Sequence, residues 1–336
     1  MIRQGTSALL LSMLLAGGLS PARADSFADR AEVQQFIVTM ADRHGFDAEA
    51  LNQLFAQAQP RLSAARIMTD QVVQPLPWPR YRGNFVNARN IRHGVRFWQQ
   101  HGAALTRARQ IYGVPEEVIV AIIGVETRYG KTRPGFPEFD TLATLAFDYP
   151  RRAEFFRAEL EQYLLLMREE QLDPLSAKGS FAGAMGIPQF MPSSYRSYAV
   201  DFNHDGRRDL WGSAIDAIGS VANYLRAHGW VAGQPVAVGA RLPDEAEQDL
   251  SAYVSITLKP EWNVEELQSL GLVPAEWLSP AARAALLAIE GEGGREYWLG
   301  FDNFYAVTRY NRSLHYALAV HQLSREIRSA RRAGYY

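Results

Sequence analysis

The 336-residue chain contains no cysteine. That excludes disulfide staples, thiolate metal sites and a cysteine nucleophile, so the fold must be held by its core. Neither sign of charge is in surplus: 35 Lys and Arg stand against 36 Asp and Glu, a formal net charge of −1. The global basic footprint of a nucleic-acid binder is missing, and no nucleic-acid partner is expected. The seven histidines show no ligand spacing, which leaves zinc without a site. Long apolar runs are also lacking: "ALLLSMLLAGGL" (residues 8–19) is shorter than the ~20 residues a membrane-spanning helix needs.

That short run has another use. Arg3 precedes it, a Gly-Gly pair and Pro21 interrupt it, and Ala22-Arg23-Ala24 forms a small-x-small cleavage site. Residues 1–24 therefore read as a signal peptide of an exported protein, with no cysteine at the cleavage point to carry a lipid. An uncleaved N-terminal anchor is the alternative.

The rest is ordinary globular sequence, 47% hydrophobic and 21% charged, with no internal repeat. Residues 25–65 carry apolar side chains at helical spacing (Val33, Phe36, Ile37, Met40, then Leu51, Leu54, Phe55), predicting two amphipathic helices. The segment "QPLPWPRYRGNF" (74–85) holds three prolines and is expected to run extended. Helices are predicted through Val95, Trp98 and Ile111 to Gly113, then from Pro115, over 153–168, over 214–228 and over 313–332. Residues 234–260 alternate or are β-branched and predict strands of a small sheet. Residues 279–290 read as helix, and 295–311 as strand-like or irregular. The outline is a mainly α chain with one small β insertion.

The stretch "VIVAIIGVETRYG" (118–130) drives a glutamate into the greasiest helix of the chain. Glu126 shares a stripe with Ile119, Ile122 and Ile123, and it lies in the last turn, where the negative end of the helix dipole opposes an anion. Desolvation and dipole both raise its pKa, which is what a general acid requires. A structural pairing with Arg128 or another basic residue is the plainer reading. Glycine-rich "GSFAGAMG" (179–186) offers backbone a ligand can approach. Gln189, Tyr195, Tyr310, Asn311 and Tyr316 are residue types that stack on sugar faces or bond hydroxyl and amide groups. Together they point to a saccharide groove.

A further motif, "DFNHDGRRDLWGSAID" (201–216), sets Asp201, Asn203 and Asp205 at alternating positions before Gly206, as in an EF-hand loop. Position 12 is Gly212 instead of a glutamate. Asp216 and the carbonyl of Arg207 are the candidates to complete a structural calcium site, and an unmetallated Asp-Gly turn is the alternative.

"VETRYG", "GSFAGAMGIPQFMPSSYRSYAVDF", "DAIGSVANYLRAHGW" and "RYNRSLHYALAV" resemble the lytic murein transglycosylase B family of bacterial cell-wall enzymes, in order and spacing, over essentially all of the chain after residue 24. The resemblance implies a lysozyme-like helical core domain (110–233 plus 297–316), an α domain (25–109 plus 317–336) and a small inserted β domain (234–296). It implies a periplasmic enzyme whose single catalytic acid/base is Glu126. Ser180 and Asn311 would lie beside the reacting sugar, Gln189, Tyr81, Tyr224, Tyr310 and Tyr316 along the groove, and Arg151 and Arg152 would face the peptide stem. It also implies a calcium loop at 201–216 in at least some members. The expected reaction opens the β-1,4 bond between N-acetylmuramic acid and N-acetylglucosamine without water, leaving a 1,6-anhydro end, and needs no catalytic cofactor. The expected partners are glycan strands with peptide stems, and other wall-synthesis or remodelling proteins. A hydrolase using a second carboxylate (Glu138, Asp140 or Asp148) and a non-catalytic wall-binding module are the alternatives.

Overall fold

The computed structural model describes residues 26–73, 76–243 and 249–334. The signal-peptide expectation at 1–24 lies outside the described residues. Two compact units divide at residues 59 and 60.

In the first unit, a 3-10 turn (Phe27–Asp29) closed by a Ser26 capping box leads into α1 (Ala31–His44) and α2 (Ala48–Gln57). Gly45, at φ +64°, takes the left-handed position that ends α1, and Asp47 caps α2. The predicted stripes meet: Val33, Phe36, Ile37, Met40, Leu51 and Phe55 are buried, with the Phe36 and Phe55 rings edge to face at 6.0 Å.

In the second unit, α3 (Leu62–Val73), α4 (Trp78–Phe85), α5 (Ala88–Gln100), α6 (Gly102–Tyr112) and α7 (Glu116–Thr127) follow in order. The helix α4 corrects the extended reading over 78–85; residues 74 and 75 lie outside the described residues. Pro77 sits at its N-cap and Pro79 in its first turn, where a missing N–H removes no helical hydrogen bond. Past α7 come β1 (Phe136–Pro137), α8 (Glu138–Asp148), α9 (Ala153–Glu169), β2 (Lys178–Gly179), α10 (Pro192–Tyr198) and α11 (Ala214–Ala227). The strands β1 and β2 form a two-residue antiparallel pair, Phe136 opposite Gly179.

Helix α7 is the axis of this unit and touches α5, α6, α11 and the closing helix α14 (Leu314–Arg332). Helices surround it, so it is apolar on every side. Ile119, Val120, Ile122 and Ile123 are fully buried, each contributing about 1.5–3 kcal/mol relative to exposure.

The β elements are β3 (Ala237–Arg241), β4 (Trp262–Asn263), β5 (Val273–Pro274), β6 (Arg283–Gly291) and β7 (Gly294–Gly300), with α12 (Val264–Ser269) between β4 and β5. They make one antiparallel sheet in the order β4-β6-β7-β3-β5. Residues 279–290 thus belong mainly to strand β6, not to the predicted helix. Its Ala-Leu composition favours helix, but pairing on both sides with β7 and β4 overrides a propensity of a few tenths of a kcal/mol. The β-branched run 251–260, predicted as strand, is a 3-10 turn (Ser251–Tyr253) with one bridge from Val254 to Leu286. Residues 295–311 divide between β7 and helix α13 (Asp302–Tyr310). Val238, Leu250, Val264, Leu267, Leu286, Leu299 and Phe301 fill the core between the sheet and α12.

Candidate active site

The last turn of α7 delivers Glu126. The helix ends on three consecutive residues of positive φ, Arg128 (50°), Tyr129 (65°) and Gly130 (76°). For the two non-glycine residues this conformation costs roughly 1–2 kcal/mol each, so it persists only where neighbours impose it. They do. The N–H groups of Arg128 and Tyr129 bond the Gly124 and Ile123 carbonyls, and Tyr129 Oη donates to Asn90 O at 2.7 Å. Thr127 Oγ1 donates to Ile187 O at 2.8 Å and accepts from Gly130 N. Gly124 leaves room for the Tyr129 ring: a Cβ there would lie 2.7 Å from it.

Glu126 is half-buried, and its Oε1 accepts a 2.6 Å hydrogen bond from Tyr316 Oη. Burial pushes its carboxyl up to about 7, while the Tyr316 bond pulls in the other direction. The direction is the one expected from the apolar stripe. The pairing with Arg128 is not found: among the described residues no ion pair involves Glu126, and Arg128 is exposed.

The predicted tyrosines gather around this carboxyl. Tyr310 stacks on Tyr316 at 6.3 Å and 12°, Tyr224 meets Tyr310 edge to face at 4.8 Å, and Phe190 lies 5.7 Å from Tyr310. Tyr310 Oη donates to Pro188 O and Tyr224 Oη to Arg309 O, so these rings are locked from both ends. Tyr81, on α4, is pushed up to about 12 by burial and then by the charge of Glu126, and the same two causes raise Tyr310 and Tyr316. The phenols therefore stay protonated as donors. Sequence reasoning missed Trp78 and His315, which pack with Tyr81 in a three-ring cluster at 5.4–6.5 Å; the adjacency of His315 to Tyr316 was the available signal.

Gln189 sits at φ +53° in the loop that also carries Ile187 and Pro188, its amide bonded to Gly186 O at 2.8 Å. Ser180 Oγ accepts from the N–H groups of Ala182 and Ala184, which shapes the glycine loop and leaves its hydroxyl proton for another acceptor. Asn311 is exposed where α13 ends. Arg151 and Arg152 are exposed before α9, with Arg152 over the Phe155 ring at 4.0 Å.

Of the three acids considered as a second carboxylate, Asp140 is bonded by Arg61 at 2.5 Å. Asp148 closes α8 and is half-buried. Glu138 is fully buried, its pKa pushed well up by burial and by Glu159; it lies under Gly179, where any Cβ would run into its carboxyl.

In the loop 201–216, Asp201, Asn203 and Asp205 converge. Asp201 accepts from the N–H of Asp205 and of Gly206, Asn203 from that of Asp205, and Asp205 Oδ2 from Asn203 Nδ2 at 2.8 Å. Among the described residues no group of three Asp, Glu, His or Cys side chains is arranged for a metal. Two carboxylates, an amide and a loop carbonyl nevertheless fit the hard-oxygen preference of calcium. Asp216 is fully buried, and its oxygens accept from the N–H groups of Phe202, Asn203 and Asp209, bracing the loop from behind.

No helix among the described residues is long and apolar enough to cross a membrane. A family model described as "Transglycosylase SLT domain" matches residues 28–325. The chain is 48% identical over 314 residues to the membrane-bound lytic murein transglycosylase B of Escherichia coli K12, covering 91% of this chain and 85% of that protein. Among solved structures it is similar to the E. coli lytic transglycosylase Slt35 in complex with calcium (48% identity, TM-score 0.82, 91% of this chain and 95% of that one). It is also similar to Pseudomonas aeruginosa SltB3 in complex with NAG-NAM-pentapeptide (34% identity, TM-score 0.78, 92% and 81%). With the family pattern running through both units and these four motifs assembled around one glutamate, the chain belongs to the transglycosylase SLT domain family, in its lytic murein transglycosylase B branch.

Proposed function

We propose that this lytic transglycosylase opens the β-1,4 bond between N-acetylmuramic acid and N-acetylglucosamine with Glu126 as its single acid and base. The observation that carries the reading is a carboxyl on an enclosed helix, pushed up to about 7 by burial, with a tyrosine bonded to only one of its oxygens. Because Tyr316 donates to Oε1, the proton resides on Oε2, the oxygen free to deliver it. That proton passes to the glycosidic oxygen and the bond to the muramyl C1 breaks. N-acetylglucosamine leaves with a new 4-hydroxyl. The ionised Glu126, held by Tyr316, then takes the proton of the muramyl C6 hydroxyl while that oxygen bonds to C1. The enzyme ends as it began, an anhydro ring closes, and no water is consumed. Hydrolysis by paired carboxylates needs a second acid about 5–9.5 Å away; of the acids considered, Asp140 is held by Arg61 and Glu138 is enclosed beneath Gly179.

The tyrosine wall and Gln189 line the sugar path, Ser180 and Asn311 flank the reacting residue, and Arg151 and Arg152 meet the peptide stem. Asp201, Asn203, Asp205 and the Arg207 carbonyl hold a structural calcium ion, with Asp216 as brace. The enzyme works in the periplasm on stem-bearing strands, where other wall-remodelling proteins are its neighbours. Digestion of purified sacculi followed by mass spectrometry tests this: products should be lighter than reducing-end fragments by one water, and Glu126→Gln should release none. Reducing-end products, or release by Glu126→Gln, would refute it.

A further inference from the structure

A second recess opens beside the catalytic helix, a cavity of about 480 Å³ between the α4–α5 turn and the residues after α7. Arg89, His93, Arg128 and Lys131 line it together with Asn84 and Asn87. Arg92 and Arg96 add their charge to the same region, since both act with Arg89 and Lys131 to lower the pKa of His93 after burial. Among the described residues none of Arg89, Arg92, Arg96, Arg128 and Lys131 forms an ion pair with an acid, whereas Arg61, Arg196 and Arg208 elsewhere in this unit do. Five uncompensated cations in a chain of net charge −1 make a local positive field that its overall composition does not announce.

The wall is stiff. Asn87 Oδ1 caps α5 through Asn90 N at 3.0 Å, Asn90 Nδ2 bonds the carbonyls of Asn84 and Phe85, and Asn90 O receives Tyr129 Oη. The recess shares two chain segments with the candidate active site. Arg128 follows Glu126 by two residues, and Asn84 stands one turn beyond Tyr81 on α4, whose phenol feels the Glu126 charge.

We infer that this recess binds the carboxylates of a peptide carried by the glycan strand, beside the bond being cut and apart from Arg151 and Arg152. The ligand class follows from the chemistry: cationic guanidinium and ammonium groups with amide neighbours suit carboxylates and backbone amides, and a concave recess suits a short peptide better than a flat membrane surface. The inference rests on the proposed reading of the strand as substrate.

The test compares wild type with the double variant Arg89→Gln/Lys131→Gln on two substrates, glycan strands with their peptide stems and the same strands stripped of peptide by an amidase. Wild type should show the lower KM on stem-bearing strands. The variant should raise that KM about fivefold, leave kcat unchanged, and respond to stripped strands as wild type does. An unchanged KM ratio between the two strands in the variant, or an equal loss on both, would overturn the site. Loss of binding to phosphatidylglycerol vesicles with the KM ratio intact would overturn it in favour of an anionic lipid. A wild type that makes anhydro ends from neither strand would instead refute the proposed reaction.

Discussion

Tyr316 donates a 2.6 Å hydrogen bond to Glu126 across 190 residues of sequence, joining the last helix of the chain to the central one. That bond lowers the pKa that burial raises, so the two effects together hold the carboxyl near 7. Tyr316→Phe keeps the buried ring and removes the donor. The pKa of Glu126 should rise, moving the alkaline limb of the rate profile to higher pH, while kcat falls about tenfold as the carboxylate loses its partner in the second step. A pH–rate profile checks both; an unmoved limb would contradict the assignment.

The raised pKa has a stability consequence of definite sign. Between 4.5 and about 7 the folded state binds more protons at Glu126 than the unfolded chain does, so this group's contribution to stability falls as pH rises through that window and stays lower above it. Glu126→Gln has no such penalty. Urea unfolding should find the variant more stable than wild type at pH 8, by up to about 3 kcal/mol from this group, with the difference vanishing near pH 4.

Gly124 is a packing requirement of the same turn. An alanine Cβ there would press on the Tyr129 ring, 2.7 Å away, and displace the phenol from Asn90 O. Overpacking of this kind costs about 1–3 kcal/mol, more than the ~1 kcal/mol that alanine gains over glycine in a helix. Gly124→Ala should therefore lower the melting temperature and reduce turnover, readable by calorimetry and sacculus digestion.

Calcium binding at Asp201, Asn203 and Asp205 should raise the melting temperature of the metal-depleted protein when calcium is added, and the rise should be absent in Asp201→Asn/Asp205→Asn. Scanning calorimetry with calcium against chelator reads this directly. Activity at low temperature should change little, because the ion braces a loop and takes no part in proton transfer.

The chain's local pattern sufficed for α7, which carries Glu126, but not for α4 and α13, which bring Tyr81 and Tyr310. The all-apolar run before Glu126 could only be an enclosed helix, and the direction of its pKa followed from that enclosure. The pattern likewise marked α9, α11 and α14, because such helices advertise their buried faces in a 3.6-residue period. Four quoted motifs were enough to place the chain in its family.

Tertiary structure decided what local pattern cannot express. Residues 283–291 became a strand because β7 and β4 wait on either side, and 78–85 became a helix because prolines at its start cost no hydrogen bond. The partner of Glu126, the burial of Glu138 under Gly179 and the gathering of Arg89 and Lys131 at one recess each depend on residues far apart in sequence. The physical reason is common to them. Apolar periodicity records which side of an element is buried, whereas a hydrogen bond or a local field depends on which other element is folded against it.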